Sequence, residues 1–398
     1  MNTRQFKLGC VLLCSLFSVT AAAEKWYWEP VFTAISGFDD NVRLEVSDPE
    51  SVFSLHLDAN ARFGFRTEVS DIEFRTALKT HQYDGADDLD YNEALIGLDA
   101  SLRRNLDTMR LMASILRDSS RTSELETTGF VDTNIPRTQI TINPEWSRRL
   151  SERSLLRLGF THTAVDYENT PGTTLTDYRF NNLMVGLDYK LSETTALQLT
   201  MLGNHYTADE FYSKFDSVAL QAGLSHRFSE TLSASAALGV RNSNSFFINP
   251  VTLERDEERD LSSLISFSFR KEWEKTTLEG AFTTLDLPGG EGRMLNREGV
   301  TLGLKHRINE RLEFTLDGIY IENKSAGGIV NAADSRTYYL IEPGLSWRIS
   351  RWWTVTGSYR YRAQENRVTN SGLADSNALY LNLQYIWPRP WSPDWKAL

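Results

Sequence analysis

Ser54-Leu55-His56-Leu57-Asp58-Ala59-Asn60-Ala61-Arg62-Phe63-Gly64-Phe65-Arg66, continuing through Thr67 and Glu68 to Val69, alternates with a period of two residues. Leu55, Leu57, Ala59, Ala61, Phe63, Phe65 and Val69 fall on one face, and Ser54, His56, Asp58, Asn60, Arg62, Gly64, Arg66 and Glu68 on the other. Successive side chains of a strand point to opposite sides, so the segment is a strand with one apolar and one polar face. In a soluble sandwich the apolar face packs on a second sheet and the polar face meets water. In a membrane barrel the apolar face meets lipid and the polar face lines a wet lumen. Alternation alone does not choose.

The chain repeats the pattern. Val218, Leu220, Ala222, Leu224 and Phe228 alternate with Ser217, Gln221, Gly223, Ser225 and Arg227, and Val300, Leu302, Leu304 and Ile308 with Thr301, Gly303, Lys305 and Arg307. These runs span roughly 10 to 16 residues, where globular strands average five or six and tilted membrane strands need about 9 to 11. Many end in a common phrase: Arg149-Leu150-Ser151-Glu152, Lys190-Leu191-Ser192-Glu193, Arg227-Phe228-Ser229-Glu230 and Arg307-Ile308-Asn309-Glu310, with a variant at Arg348-Ile349-Ser350-Arg351. Tight turns are expected near Ser70, Asn105, Ser151, Ser192, Ser229, Glu274, Asn309 and Ser350. Longer polar loops are expected at about 85–90, 121–136, 166–176, 243–258, 288–295, 323–334 and 365–373. Short turns alternating with longer loops suit periplasmic turns and extracellular loops. Eight hairpin turns with a first strand at 27–38 and a last at 379–387 imply an all-β, antiparallel up-and-down transmembrane barrel of about 18 strands.

Arg4 and Lys7, an apolar run from Leu8 to Val19 and Ala21-Ala22-Ala23 have the form of a secretory signal peptide cleaved after Ala23. Residues 1–23 are therefore expected to be leader, 24–387 barrel and 388–398 a periplasmic tail whose prolines cannot extend a ladder. Both cysteines, Cys10 and Cys14, lie in the leader, so the mature chain has no thiol for a disulfide, a metal or a nucleophile. Removing Arg4 and Lys7 leaves 40 basic against 53 acidic residues, a formal charge of −13 that argues against a nucleic-acid partner. Trp26, Trp28, Trp146, Trp273, Trp347, Trp352, Trp353, Tyr359, Tyr361, Tyr385 and Trp387 sit near strand ends, where amphipathic rings favour a membrane interface.

An 18-strand barrel is too wide for side chains to fill, so a channel is expected. Inward positions beside the turns are repeatedly basic: Arg66, Arg103, Arg149, Lys190, Arg227, Arg270, Arg307 and Arg348. This ring at the periplasmic mouth reads as a funnel for an anion or a contact for a periplasmic partner, and equally as simple pairing with turn glutamates and anionic lipid. Asp84–Asp90 and Glu254–Asp260 are acidic loop stretches; the first has carboxylates close enough to bind a hard cation, but it fails the calcium-loop spacing and reads as solvated loop. His56, His81, His162, His205, His226 and His306 are scattered over different strands without metal spacing, and no Gly-x-Ser-x-Gly elbow occurs, so neither enzyme nor cofactor is expected.

Trp26-Tyr27-Trp28-Glu29-Pro30-Val31-Phe32-Thr33-Ala34, followed by Gly37-Phe38-Asp39-Asp40-Asn41, resembles the start of the β-barrel porins encoded in bacterial exopolysaccharide and capsule loci. The resemblance covers the whole mature chain as a pattern without a sharp motif. It implies an outer-membrane channel exporting an exopolysaccharide or capsular polysaccharide, some relatives working with a short periplasmic export protein. A monomer surrounded by outer-membrane lipid and lipopolysaccharide is expected. Two alternatives stand beside it: a general or oligosaccharide-specific diffusion porin, and a structural or adhesive barrel with an occluded lumen. No segment is long enough to read as an obvious plug.

Overall fold

A computed structural model describes residues 25–127, 134–168, 175–208, 213–248, 255–325, 336–366 and 372–387. The leader, its cleavage point, Cys10, Cys14 and the tail 388–398 lie outside the described residues, as do parts of the loops expected at 121–136, 166–176, 243–258, 323–334 and 365–373.

The described strands are β1 (Lys25–Asp39), β2 (Val52–Arg66), β3 (Ser70–Asp84), β4 (Tyr91–Arg104), β5 (Asp107–Ser119), β6 (Pro136–Arg149), β7 (Ser154–Tyr167), β8 (Tyr178–Lys190) and β9 (Thr195–Ala208). They continue as β10 (Ser213–Ser229), β11 (Leu232–Ile248), β12 (Arg255–Glu272), β13 (Thr276–Pro288), β14 (Met294–Arg307), β15 (Leu312–Ser325), β16 (Arg336–Arg348), β17 (Trp353–Asn366) and β18 (Leu373–Ile386). Each pairs antiparallel with its sequence neighbours, and β1 also pairs with β18 from Val31↔Ile386 to Asp39↔Ala378. The result is a closed 18-stranded antiparallel barrel. Closure removes the free edges that an open sheet would offer.

Because the wall is one sheet closed on itself, no second sheet covers its outer face. Leu220, Leu238, Leu302 and Leu381 stand exposed on it, with the indoles of Trp26, Trp28, Trp273, Trp347 and Trp353 nearer the periplasmic ends. This decides the question that alternation left open: the apolar stripe is solvated by lipid, and the barrel spans the outer membrane. Among the described residues no helix is long and apolar enough to cross a membrane, which is immaterial to a protein that crosses with strands.

The turn phrase has a local cause. Ser151 Oγ accepts the backbone N–H of Arg153 at 3.2 Å and of Ser154 at 3.0 Å. Ser192 does the same for Thr194 and Thr195 at 3.2 and 3.1 Å, and Ser350 for Trp352 and Trp353 at 3.1 and 3.2 Å. Asn309 Oδ1 accepts from Arg311 and Leu312 at 2.9 Å each. A short side-chain acceptor at that position reverses the chain without help from the rest of the barrel.

Two sequence expectations need correction. Residues 243–258 read as a long loop, yet β11 runs to Ile248 and β12 starts at Arg255, with Ser245 opposite Glu258. The last strand likewise starts at Leu373 rather than 379. Beyond the lipid boundary a strand needs no apolar face, so its polar outer end has a loop's composition. Within the loop expected at 121–136, residues Ser120–Thr127 form a short helix, α1.

Candidate functional site

What this barrel buries, it buries inside. Three segments turn into the extracellular half of the lumen, and the densest packing in the molecule forms around them. In the first, the β1–β2 connection, Leu44 takes a left-handed φ of 52° and packs on Ile321, Tyr338, Leu340 and Ala374, inward residues of β15, β16 and β18. Asn41 pins this turn, its Nδ2 donating to the carbonyls of Glu45 at 2.8 Å and Asp375 at 2.9 Å. Arg43 joins Glu50 at 2.6 Å to Asp88 at 2.8 Å. Asp90 Oδ1 accepts the N–H of Tyr83 at 2.8 Å, so the acidic stretch Asp84–Asp90 is held by this chain's own groups.

The second segment is α1. Arg121 Nη2 donates to the Val42 carbonyl at 2.6 Å, and its guanidinium lies 5.4 Å from the Tyr83 ring. Burial lowers the pKa of that guanidinium from its ordinary value. Glu124 accepts from the Tyr167 hydroxyl at 2.8 Å and stands 3.5 Å from Arg137, which also meets Asp118 at 2.8 Å. Charges this deeply buried persist only when paired.

The third segment is the tip of the β13–β14 hairpin. Met294 is seated among Tyr167, Leu175, Tyr178, Tyr206 and Phe215, which belong to the stretch of wall from β7 to β10 and its loop. The Tyr206 hydroxyl donates to the Gly289 carbonyl at 3.1 Å, and the Thr176 N–H to that of Gly290 at 2.8 Å. At the hairpin's root Arg241 of β11 bonds Asp286 of β13, and its Nη2 donates to Ser262 Oγ at 2.5 Å. No single one of these segments is a long plug; three short segments turn inward instead.

The lower lumen is open and wet. Ion pairs stud its wall: Arg62–Glu29 at 2.5 Å, Arg110–Asp99 at 2.5 Å, Arg157–Asp188 at 2.8 Å and Arg360–Glu342 at 2.7 Å. Tyr27 lies flat across Gly64, where a Cβ would strike its ring, and donates to Glu73 at 2.9 Å. Between β10 and β15 the wall hollows into a concavity of about 730 Å³ lined by Ser225, Arg227, Ser268, Arg270, Glu279 and Asp317.

Below it stand the eight basic positions. Arg66, Arg103, Arg149, Lys190, Arg227, Arg270, Arg307 and Arg348 end β2, β4, β6, β8, β10, β12, β14 and β16 in turn or lie within two residues of their ends, and all are exposed. By strand parity all point inward. Arg66 pairs with Asp71 at 2.7 Å and Arg270 with Glu272 at 2.6 Å and with Glu279. Arg227 donates to the Glu193 carbonyl at 2.9 Å and Arg307 to that of Glu274 at 3.0 Å. Arg103, Arg149, Lys190 and Arg348 form no ion pair among the described residues.

Histidines lie where the sequence scattered them. His56 and His81 lie side by side inside the lumen with ring centroids 4.4 Å apart and ring planes tilted by 54°. His226 and His306 face outward beside the periplasmic turns, each 2.8 Å from a threonine hydroxyl, Thr195 and Thr276. Among the described residues no group of three or more His, Cys, Asp or Glu is placed to hold a metal ion. Met294, Arg241 and Asp286 carry no signal in the sequence, because their partners lie dozens of residues away.

No protein-family model and no curated protein matches the chain. Among solved structures it is similar to OccAB1 of Acinetobacter baumannii, with a TM-score of 0.50, 8% identity, and coverage of 91% of this chain and 96% of that one. It is also similar to OpdK of Pseudomonas aeruginosa with vanillate (TM-score 0.49, 12% identity, 91% and 98% covered) and to OccK2 (OpdF) of the same organism in complex with glucuronate (0.47, 12%, 92% and 98%). At these identities the likeness is one of fold, that of an outer-membrane porin-type barrel, and it does not extend to the polysaccharide-export family.

Proposed function

We propose that this barrel is a diffusion channel for small hydrophilic solutes, with a preference for anions. The observation that carries the reading is the shape of the lumen. Three inward segments narrow its extracellular half, while its periplasmic half stays wide and polar and ends in a ring of arginines and one lysine. A narrow, water-lined passage passes single solutes through many weak hydrogen bonds. The ring raises the local concentration of anions, most strongly where Arg103, Arg149, Lys190 and Arg348 stand with neither an ion pair nor a side-chain hydrogen bond among the described residues. Polysaccharide export, with a short periplasmic protein docked at the ring, needs a continuous bore for a chain of sugar rings, and the inward segments oppose it.

Planar-bilayer recording of the refolded barrel tests the proposal. Discrete conductance with an anion-directed reversal potential is expected, and replacing the four unpaired ring residues by glutamate should lower the anion-to-cation permeability ratio severalfold. A barrel that inserts without conducting leaves the occluded, adhesive reading in its place. An unaltered ratio would remove the ring from the mechanism.

A further inference from the structure

One seam of the wall is unlike the others. β12 and β13 pair only from Ser266↔Thr283 to Glu272↔Thr277, although β12 extends to Arg255 and β13 to Pro288. On its other side β12 is laddered to the top, as far as Ile248↔Arg255. The strand itself is therefore regular, and its partner has left it to carry the hairpin tip into the lumen.

The bare edge lies at membrane depth. Ser263 and Ile265 stand opposite Val240 and Leu238, outward residues that are 58% and 66% exposed to lipid. Leu261, beside the gap, is 75% exposed, more than any other large apolar residue of the described chain. Lipid cannot satisfy backbone N–H and C=O groups, so an unpaired edge at this depth must be covered or must line a wet cavity.

Returning β13 to the wall would not provide the cover. Above Phe282 and Val300 the residues of β13 and β14 with outward parity are Thr284, Asp286, Asn296 and Glu298, with Pro288 and Met294 only at the hairpin tip that turns into the lumen. The apolar stripe that runs to Leu261 on β12 stops well short on these two strands. A lipid-facing segment would not carry this sequence, because carboxylates at that depth are expensive. The polar face is built for the inside, where Asp286 meets Arg241. A polar slit flanked by apolar wall is thus built into the outer-leaflet half of the barrel.

We infer that the β12–β13 seam is a lateral portal between lumen and outer leaflet, and that its ligand is an amphipathic molecule. The polar head enters between the bare β12 edge and the Thr284–Asp286 face, while the acyl chain stays in lipid against Leu261 and Ile265. The inference extends the channel reading and rests on it only for the existence of a wet lumen.

Single cysteines at Ile265, Thr284 and, as a control in fully laddered wall, Leu220 can be placed in the mature chain, which has no other cysteine if the leader is removed after Ala23. The barrels are reconstituted in phosphatidylethanolamine–phosphatidylglycerol vesicles and exposed to a membrane-impermeant maleimide. Thr284→Cys should label at least tenfold faster than Leu220→Cys, while Ile265→Cys, on the lipid side of the seam, should label no faster than Leu220→Cys. Dodecyl maltoside below its micellar concentration should slow the labelling of Thr284→Cys, and maltose should not. Labelling of Thr284→Cys no faster than the control overturns the portal, as does equal protection by maltose or a native mass of two copies, which would mean that a second barrel covers the edge. Conductance measured on the same vesicles separates a failed portal in a working channel from a barrel that does not conduct.

Discussion

At the scale of single residues, burial decides what a charge is worth here. Asp39 of β1, Arg362 of β17 and Ser376 of β18 form a buried triangle where the barrel closes: Arg362 donates to Asp39 at 2.6 Å and to Ser376 at 3.3 Å, and Ser376 donates to Asp39 at 2.6 Å. Removing Asp39 leaves a guanidinium buried without its counter-ion, which costs about 3–5 kcal/mol. The Arg62–Glu29 pair has comparable geometry but faces open water, and its loss should cost no more than about 1 kcal/mol. Urea unfolding of reconstituted barrels, read as the shift of the folded band on unheated gels, should therefore separate Asp39→Ala from Arg62→Ala widely. Equal destabilisation would mean that the triangle is wet. The sequence placed Asp39 at the end of the first strand, but nothing local could show that it would meet a residue 323 positions away.

At the scale of the element, each strand is a boundary between two solvents. Leu220 and Gln221 are neighbours on β10, one facing lipid and the other the lumen. Leu220→Arg should destabilise the barrel by about 2–4 kcal/mol, as a charge near the bilayer midplane does. Gln221→Arg should leave stability nearly unchanged and alter conductance instead. Paired unfolding and bilayer measurements check both, and a reversed result would invert the wall. This alternation was legible from sequence, as were all eight tight turns, because period and turn chemistry are local. The outer strand ends were less legible: Asn242-Ser243-Asn244-Ser245 belongs to β11, yet above the lipid boundary neither face has to be apolar. The short helix α1 was missed for a related reason, since its sequence holds a single apolar residue, Leu125, and its anchors, Val42 and Tyr167, come from distant elements.

At the scale of the whole molecule the exterior is an apolar band broken at the β12–β13 seam, and the interior is half packed, half wet. The mature polypeptide should accordingly stay monodisperse only in detergent or lipid; sedimentation in plain buffer should show aggregates, and a stable monomer there would contradict a lipid-facing wall. By itself the sequence determined that wall: the two-residue period set the strands and their lipid face, serine and asparagine set the turns, and every second strand from β2 to β16 received a basic residue at its periplasmic end. Each of these depends on residues close together in the chain. Only the tertiary structure decided what the wall encloses. Whether Leu44, Arg121 and Met294 meet partners on other stretches of the wall, and whether β13 stays with β12, depends on a curvature that exists only once β1 has met β18. The bore of the channel is therefore a property of the closed barrel and of none of its strands alone.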